Sequence, residues 1–166
     1  MTSIQWPEGF VPGFTDNYCS NEVIVTDIDI NKVWTLLVTP SAWPTYYKNS
    51  ANPRFYDGKG PVFAFNDRFY FETFGFPVEA RIVELIAPVK GEAARVAWHG
   101  WSGEGETRLD VHHAWIVEAL SHDRVRILTQ ETQNGRPAIE LANTVPNPMI
   151  NGHQEWLDGL VKAARV

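Results

Sequence analysis

The strongest constraint on the fold lies in residues 107–133, TRLDVHHAWIVEAL followed by SHD and RVRILTQETQ. Apolar and polar residues alternate on both sides of the short polar break. A period of two puts every second side chain on one face of a strand, and two such runs around a few turn residues read as a hairpin. Leu109, Val111, His113, Trp115 and Val117 share the more apolar face of the first strand. Val125, Ile127, Thr129, Glu131 and Gln133 share that of the second. His113 therefore points inward and His112 outward, and a turn near 121–123 sets His113 opposite about residue 131. Cross-strand partners stand about 5 Å apart at Cβ, close enough for a charge-assisted hydrogen bond between His113 and Glu131. A sheet with one apolar face needs a cover.

The rest of the chain supplies more strands and one cover. NEVIVTDI (21–28) reads as a strand, and DINKVWTLLV (29–38) as a helix with Asp29 as its N-cap. SAWPTYY (41–47) reads as a second short helix capped by Ser41. Strands follow at 53–58, 67–74, 77–88 and 92–101, spaced as in an antiparallel meander. The segment 147–166 carries an apolar stripe of Ile150, His153, Leu157, Leu160 and Ala164 at helical spacing, and Pro146 and Pro148 separate it from a turn or helix at 138–145. That last helix is the element long enough to cover the sheet, which gives an α+β class. Residues 1–20 place Pro7, Gly9, Pro12 and Gly13 among Trp6, Phe10, Phe14 and Tyr18. They read as an extended arm lying on a single domain at 21–166, where it could plug a cavity, cover a sheet edge or reach a partner subunit.

This order of elements resembles the SRPBCC superfamily, also called START-like or Bet v 1-like, and within it the polyketide cyclase/dehydrase branch. The stretches that carry the likeness are DINKVWTLLVTPSAWPTYY, PVEARIVELIAPVKGEAARVAWHG, HAWIVEAL with VRILTQETQNG, and the closing helix. The resemblance implies a helix-grip fold: a curved seven-stranded antiparallel sheet wrapped around a long C-terminal helix, two short helices after strand 1, and a deep cavity between sheet and helix. Members bind lipids, sterols, polyketides or plant phenolics. Some are cyclases or aromatases, some hydrolases and some chaperone activators, so the fold alone does not set the activity.

Seven Trp, nine Phe and five Tyr are many for 166 residues, and aromatic rings can either fill a core or line a cavity. The expectation is a lined cavity, with Trp34, Tyr46, Tyr47, Phe69, Phe71, Trp98, Trp115, Thr129, His153 and Trp156 contacting a small hydrophobic or aromatic ligand. Within it, His113 and Glu131 would form an acid/base pair able to move a proton near neutral pH, set against the plainer reading of a structural pair. A metal would need three or four converging ligands; His99, His113, His153 and Glu131 could supply them only if His99 also points inward, and His99 has the parity of Ala97 and Trp101, opposite Val96 and Trp98, so no metal and no cofactor are expected. The net charge of -6 argues against nucleic acid, and no segment suggests membrane insertion. Cys19 is the single cysteine, and the N-terminus lacks a signal-peptide pattern, so a cytoplasmic location is the default. Arg68, Arg81 and Arg108 read as a solvated sheet face, and SGEGE (102–106) as a loop near the cavity mouth, not a phosphate loop. The leading expectation is a binding protein for a lipid- or polyketide-like ligand. A cyclase/aromatase-type enzyme using His113 and Glu131 is the alternative, and a chaperone-interacting module the third, for which no concentrated docking patch is visible. A homodimer is compatible with the chain.

Overall fold

A computed structural model describes all residues, 1–166. Strand β1 (Asn17–Thr26) leads into helix α1 (Ile30–Leu37) and a short α2 (Trp43–Tyr46). Strands β2 (Ala51–Phe55), β3 (Arg68–Thr73), β4 (Phe76–Ile86), β5 (Ala94–Ser102), β6 (Leu109–Leu120) and β7 (Arg124–Asn134) follow, then α3 (Arg136–Asn143) and α4 (Pro148–Ala164). The seven strands form one antiparallel sheet in the order β1-β7-β6-β5-β4-β3-β2, and α4 packs against its inner face. This is the helix-grip arrangement. The β6–β7 register pairs His113 with Glu131, and β1 closes on β7 with Cys19 opposite Glu131.

Local chemistry explains the element ends. The Asn31 amide donates to Asp29 Oδ1 at 2.8 Å, so Asp29 caps α1. Ser41 caps nothing: the chain enters α2 through a 3-10 turn at Pro40–Ala42, where proline's fixed φ starts the turn without a side-chain cap. Asn147 caps α4 by accepting from the Met149 amide at 3.1 Å. The buried stripe of α4 runs through Met149, Gly152, His153, Trp156, Leu157, Leu160, Val161 and Ala164, while Ile150 is 44% exposed. The expected stripe was therefore out of phase at its first turn, where Met149 and not Ile150 turns inward.

The arm is shorter than expected, because residues 17–20 already belong to β1. Residues 1–16 neither plug a cavity nor cover an edge. They lie across the outer face of the sheet. Arg126 Nη1 donates to the Thr2 carbonyl at 2.7 Å, Arg95 Nη2 to the Ser3 carbonyl at 2.8 Å, and Thr132 Oγ1 to the Phe10 carbonyl at 2.8 Å. Ile4 is buried on Ala97, Ala114, Ile116 and Leu128, a floor made shallow by two alanines. His112 points outward but is roofed by Trp6, whose ring centroid lies 5.5 Å away.

Aromatic rings fill most of the grip. Trp43 lies 5.0–6.1 Å from the rings of Phe63, Phe69, Phe71, Trp98 and Trp156. Trp43, Trp98, Trp115 and Trp156 are all essentially buried. Burying one such ring removes roughly 150–250 Å² from water, about 4–6 kcal/mol before entropy. The tryptophan surplus is thus spent mainly on packing, against the expectation of a lined hollow.

Candidate functional site

One end of the grip stays open. Between the sheet and α4 lies a cavity of about 30 Å³ for the centre of a water molecule, inside a wider envelope of about 490 Å³ that counts crevices and the mouth. That is room for about one or two waters, far less than the deep cavity expected. Its apolar wall includes Phe71, Trp98, Val111, Met149 and Trp156, and the partly exposed Phe74, Phe76 and Leu141 lie toward its mouth. Its polar lining is Thr73, Ser102, His113, Glu131, Gln133 and His153.

Of the residues expected to touch a ligand, Phe71, Trp98, His153 and Trp156 line this cavity, together with His113 and Glu131. Trp34, Tyr46, Tyr47, Phe69, Trp115 and Thr129 do not. Trp34 and Phe69 belong to the packed core. Tyr46 donates its hydroxyl to the Leu36 carbonyl at 3.2 Å, and Tyr47 stacks on Trp156 with centroids 4.6 Å apart. Trp115 packs behind His113, and Thr129 is spent on a hydrogen bond to it. The reason is volume: Trp43 and Phe63, which sequence reading did not single out, occupy the space these side chains would otherwise border.

The polar residues form a chain of hydrogen bonds running one way. Asn147 Nδ2 donates to Asn17 Oδ1 at 2.8 Å, and Asn17 Nδ2 to Gln133 Oε1 at 2.8 Å. Gln133 Nε2 donates to Glu131 Oε2. Glu131 Oε1 stands 3.2 Å from His113 Nδ1. His113 Nε2 donates to Thr129 Oγ1 at 2.8 Å, and that hydroxyl donates to the Ala114 carbonyl at 3.3 Å. Polar groups linked this way strengthen one another in a low-dielectric interior. The chain ties the N-cap of α4 to the middle of the sheet.

Burial controls the charges. It raises the Glu131 carboxyl to about 8, partly countered by the Gln133 hydrogen bond. Burial, with His153 and His112 nearby, holds His113 well below its ordinary value, and burial takes His153 down to about 3. Desolvation favours neutral forms in each case. Burial thus favours a neutral carboxyl donating to a neutral imidazole over an ion pair. His153 lies beside His113, with centroids 4.6 Å apart and ring planes 17° apart. Its Nδ1 is 3.4 Å from Cys19 Sγ, and burial, with Glu131 beside it, raises that thiol.

Several residues of this cluster were missed. Gln133 was legible, since it shares the parity of Glu131. Cys19, Asn17 and Asn147 were not, because their places depend on how β1 and α4 dock. His99 sits on the outer face with its Nε2 3.1 Å from Asp110 Oδ1. Arg68, Arg81 and Arg108 also face outward, bonded to Glu79, Asn66 and Asp110 respectively.

No family model matches the chain, and no curated protein does. Among solved structures, truncated norcoclaurine synthase from Thalictrum flavum is similar at a TM-score of 0.57 with 12% identity, covering 88% of this chain and 91% of that one. CalU16 from Micromonospora echinospora is similar at 0.54 with 12% identity, covering 89% and 75%. These likenesses concern the fold alone. No helix is long and apolar enough to cross a membrane. The hypothetical protein jhp0584 from Helicobacter pylori shares 52% identity at a TM-score of 0.94, covering 99% of this chain and 98% of that one, and the chain belongs to the same family as that protein.

Proposed function

We propose that this protein binds a small, largely apolar molecule bearing one hydrogen-bonding group in the cavity between the sheet and α4. His113, Glu131 and His153 take the polar group, and Phe71, Trp98 and Trp156 take the apolar body. The observation that carries the reading is the placement of three buried ionisable side chains around a void whose remaining lining is mostly apolar. Burying such groups is costly and is retained where they recognise something. The cavity volume argues for a compact ligand, not an extended polyketide or lipid chain. Entry requires the mouth to open, and α3 is suited to that: Ala138 is its one buried residue, while Leu141 reaches the mouth. Few buried contacts mean a low cost of local opening.

A second reading has one observation in its favour. The 3.2 Å approach of Glu131 Oε1 to His113 Nδ1 is the geometry of an acid/base pair, and proteins of cyclase or aromatase type would use it to move protons of a bound carbonyl compound. Native mass spectrometry of protein purified from cells tests both. A compact molecule retained unchanged supports binding, and one consumed on incubation, with loss of turnover in His113→Phe, supports the enzyme. If small aromatic carbonyl compounds neither copurify nor raise the melting temperature, both readings fail.

A further inference from the structure

We infer that His113, Glu131 and His153 are the three protein ligands of a divalent transition-metal site, of the zinc class, with an open coordination position facing the cavity. The inference shares its residues with the ligand-binding reading and specifies what would hold the ligand's polar group.

The geometry is that of a site set up for a cation. One donor atom from each residue, drawn from β6, β7 and α4, lies within 4.8 Å of the others. His113 Nδ1 and Glu131 Oε1 are 3.2 Å apart. Zinc–nitrogen and zinc–oxygen bonds of about 2.0–2.2 Å place neighbouring tetrahedral ligands about 3.4 Å apart, so this pair already spans one edge. The His153 donor, within 4.8 Å of the others, has up to about 1.4 Å to close. Two imidazoles and a carboxylate are a common zinc donor set, and three protein ligands leave a position for water or substrate.

The outer hydrogen bonds point the same way. A metal-bound histidine almost always donates its second ring N–H to an acceptor that fixes its orientation, and bound carboxylates are hydrogen-bonded in turn. His113 Nε2 donates to Thr129 Oγ1 at 2.8 Å, and that threonine is anchored on the Ala114 carbonyl. His153 lines the same cavity; its Nδ1 meets Cys19 Sγ at 3.4 Å, and its Nε2 has no protein hydrogen-bond partner. Gln133 holds Glu131 Oε2 and leaves Oε1 turned toward the imidazoles. His113 and Glu131 thus each have one atom held by a supporting group and one turned toward the cluster. The void of about 30 Å³ beside them accommodates an ion with a bound water. Cys19 acts as a supporting residue and is not a ligand, since only the other three converge. A cation there would also stabilise a carboxylate that the protein otherwise keeps away from water.

The test uses the full chain, stripped with a chelator and dialysed. Zinc chloride titrated by calorimetry should give one equivalent bound, at micromolar Kd or tighter, and should raise the melting temperature. Cobalt(II) should produce the strong visible d–d bands of four-coordination in the wild-type chain, a readout that needs no variant. Glu131→Gln and His153→Asn should each weaken zinc about 100-fold or more, and Thr129→Val about 10–100-fold. His99→Ala, on the outer face, should change nothing. Cys19→Ser should remain within about tenfold, because it keeps a hydrogen-bonding partner for His153. No saturable zinc binding, six-coordinate cobalt spectra, or zinc binding that survives Glu131→Gln and His153→Asn unchanged overturns the inference. Small-molecule binding is measured separately in chelator. If it persists when zinc does not bind, the metal fails and the ligand reading stands; if zinc binds and no small molecule does, the reverse holds.

Discussion

Two glycines on α4 should respond very differently to the same substitution, Gly→Ala. A Cβ on Gly159 would lie 2.1 Å from the Tyr46 carbonyl oxygen, and one on Gly152 would lie 2.2 Å from Cζ of Phe74. Both distances are far inside contact, but the obstacles differ. Tyr46 O is backbone in α2, which is fixed by the Trp43 indole donating to the Leu37 carbonyl at 2.9 Å and by the Tyr47 amide donating to the Trp43 carbonyl at 2.8 Å. Relieving that clash means separating α4 from α2 by roughly 1 Å, at the top of the overpacking range of about 1–3 kcal/mol. Alanine's helix propensity returns about 1 kcal/mol, so Gly159→Ala should cost about 2 kcal/mol. At Gly152 the obstacle is the tip of a partly exposed ring, which can swing away and lose its packing on His153, 5.9 Å between centroids. That loss of about 1 kcal/mol is nearly offset by propensity, so Gly152→Ala should be close to neutral. Urea denaturation of both variants, with thermal melts in which 1 kcal/mol shifts the midpoint by about 2–4 °C, measures the gap. A Gly159→Ala protein as stable as wild type, or a Gly152→Ala protein that is the worse of the two, refutes the reasoning. Phe74 is held with φ at 51°, its amide donating to Asn49 Oδ1 at 2.8 Å. Gly152→Ala should therefore also widen the mouth and speed the entry of small aromatic probes.

Stability of the metal-free protein should peak near pH 6.5. His112, lowered to about 4, and His153, lowered to about 3, are neutral in the folded state and take up protons on unfolding as pH falls below about 6.5, so stability is lost on the acid side. Glu131, raised to about 8, stays protonated when folded and ionises on unfolding from about pH 4.5 upward, so one proton's worth, about 1.4 kcal/mol per pH unit, is lost between roughly pH 6.5 and 8. Melts in chelator across pH 4.5–9 should trace this asymmetric dome, and a plateau from 5 to 9 would contradict the assigned neutral forms. Ile4→Ala should cost about 2 kcal/mol, the low end for a buried aliphatic truncation, and amide exchange should show the loss confined to the arm and the stretches of β5, β6 and β7 beneath it. His113→Phe should leave Thr129 and Glu131 without their partner and cost about 2–3 kcal/mol through unsatisfied buried groups, while His99→Phe on the outer face should cost under about 1 kcal/mol.

The part of the site legible in the sequence was the part set by strand geometry. Alternation on β6 and β7 turned His113 and Glu131 inward, and a short turn aligned them, because side-chain direction along a strand has a period of two whatever it packs against. The same local rule put His112 and His99 outside. It could not say that His112 would be covered, since the arm's position depends on contacts across more than 100 residues, such as Arg126 with the Thr2 carbonyl.

The sequence by itself therefore determined the order of elements, the inward pair and the single covering helix, all consequences of short-range periodicity. Only the tertiary structure decided which turn of α4 faces the sheet, that β1 brings Cys19 to His153, and that Trp43 fills the grip until only a small void remains. Those outcomes depend on the docking of distant segments and on the sum of side-chain volumes against the space available, and no local pattern encodes either quantity.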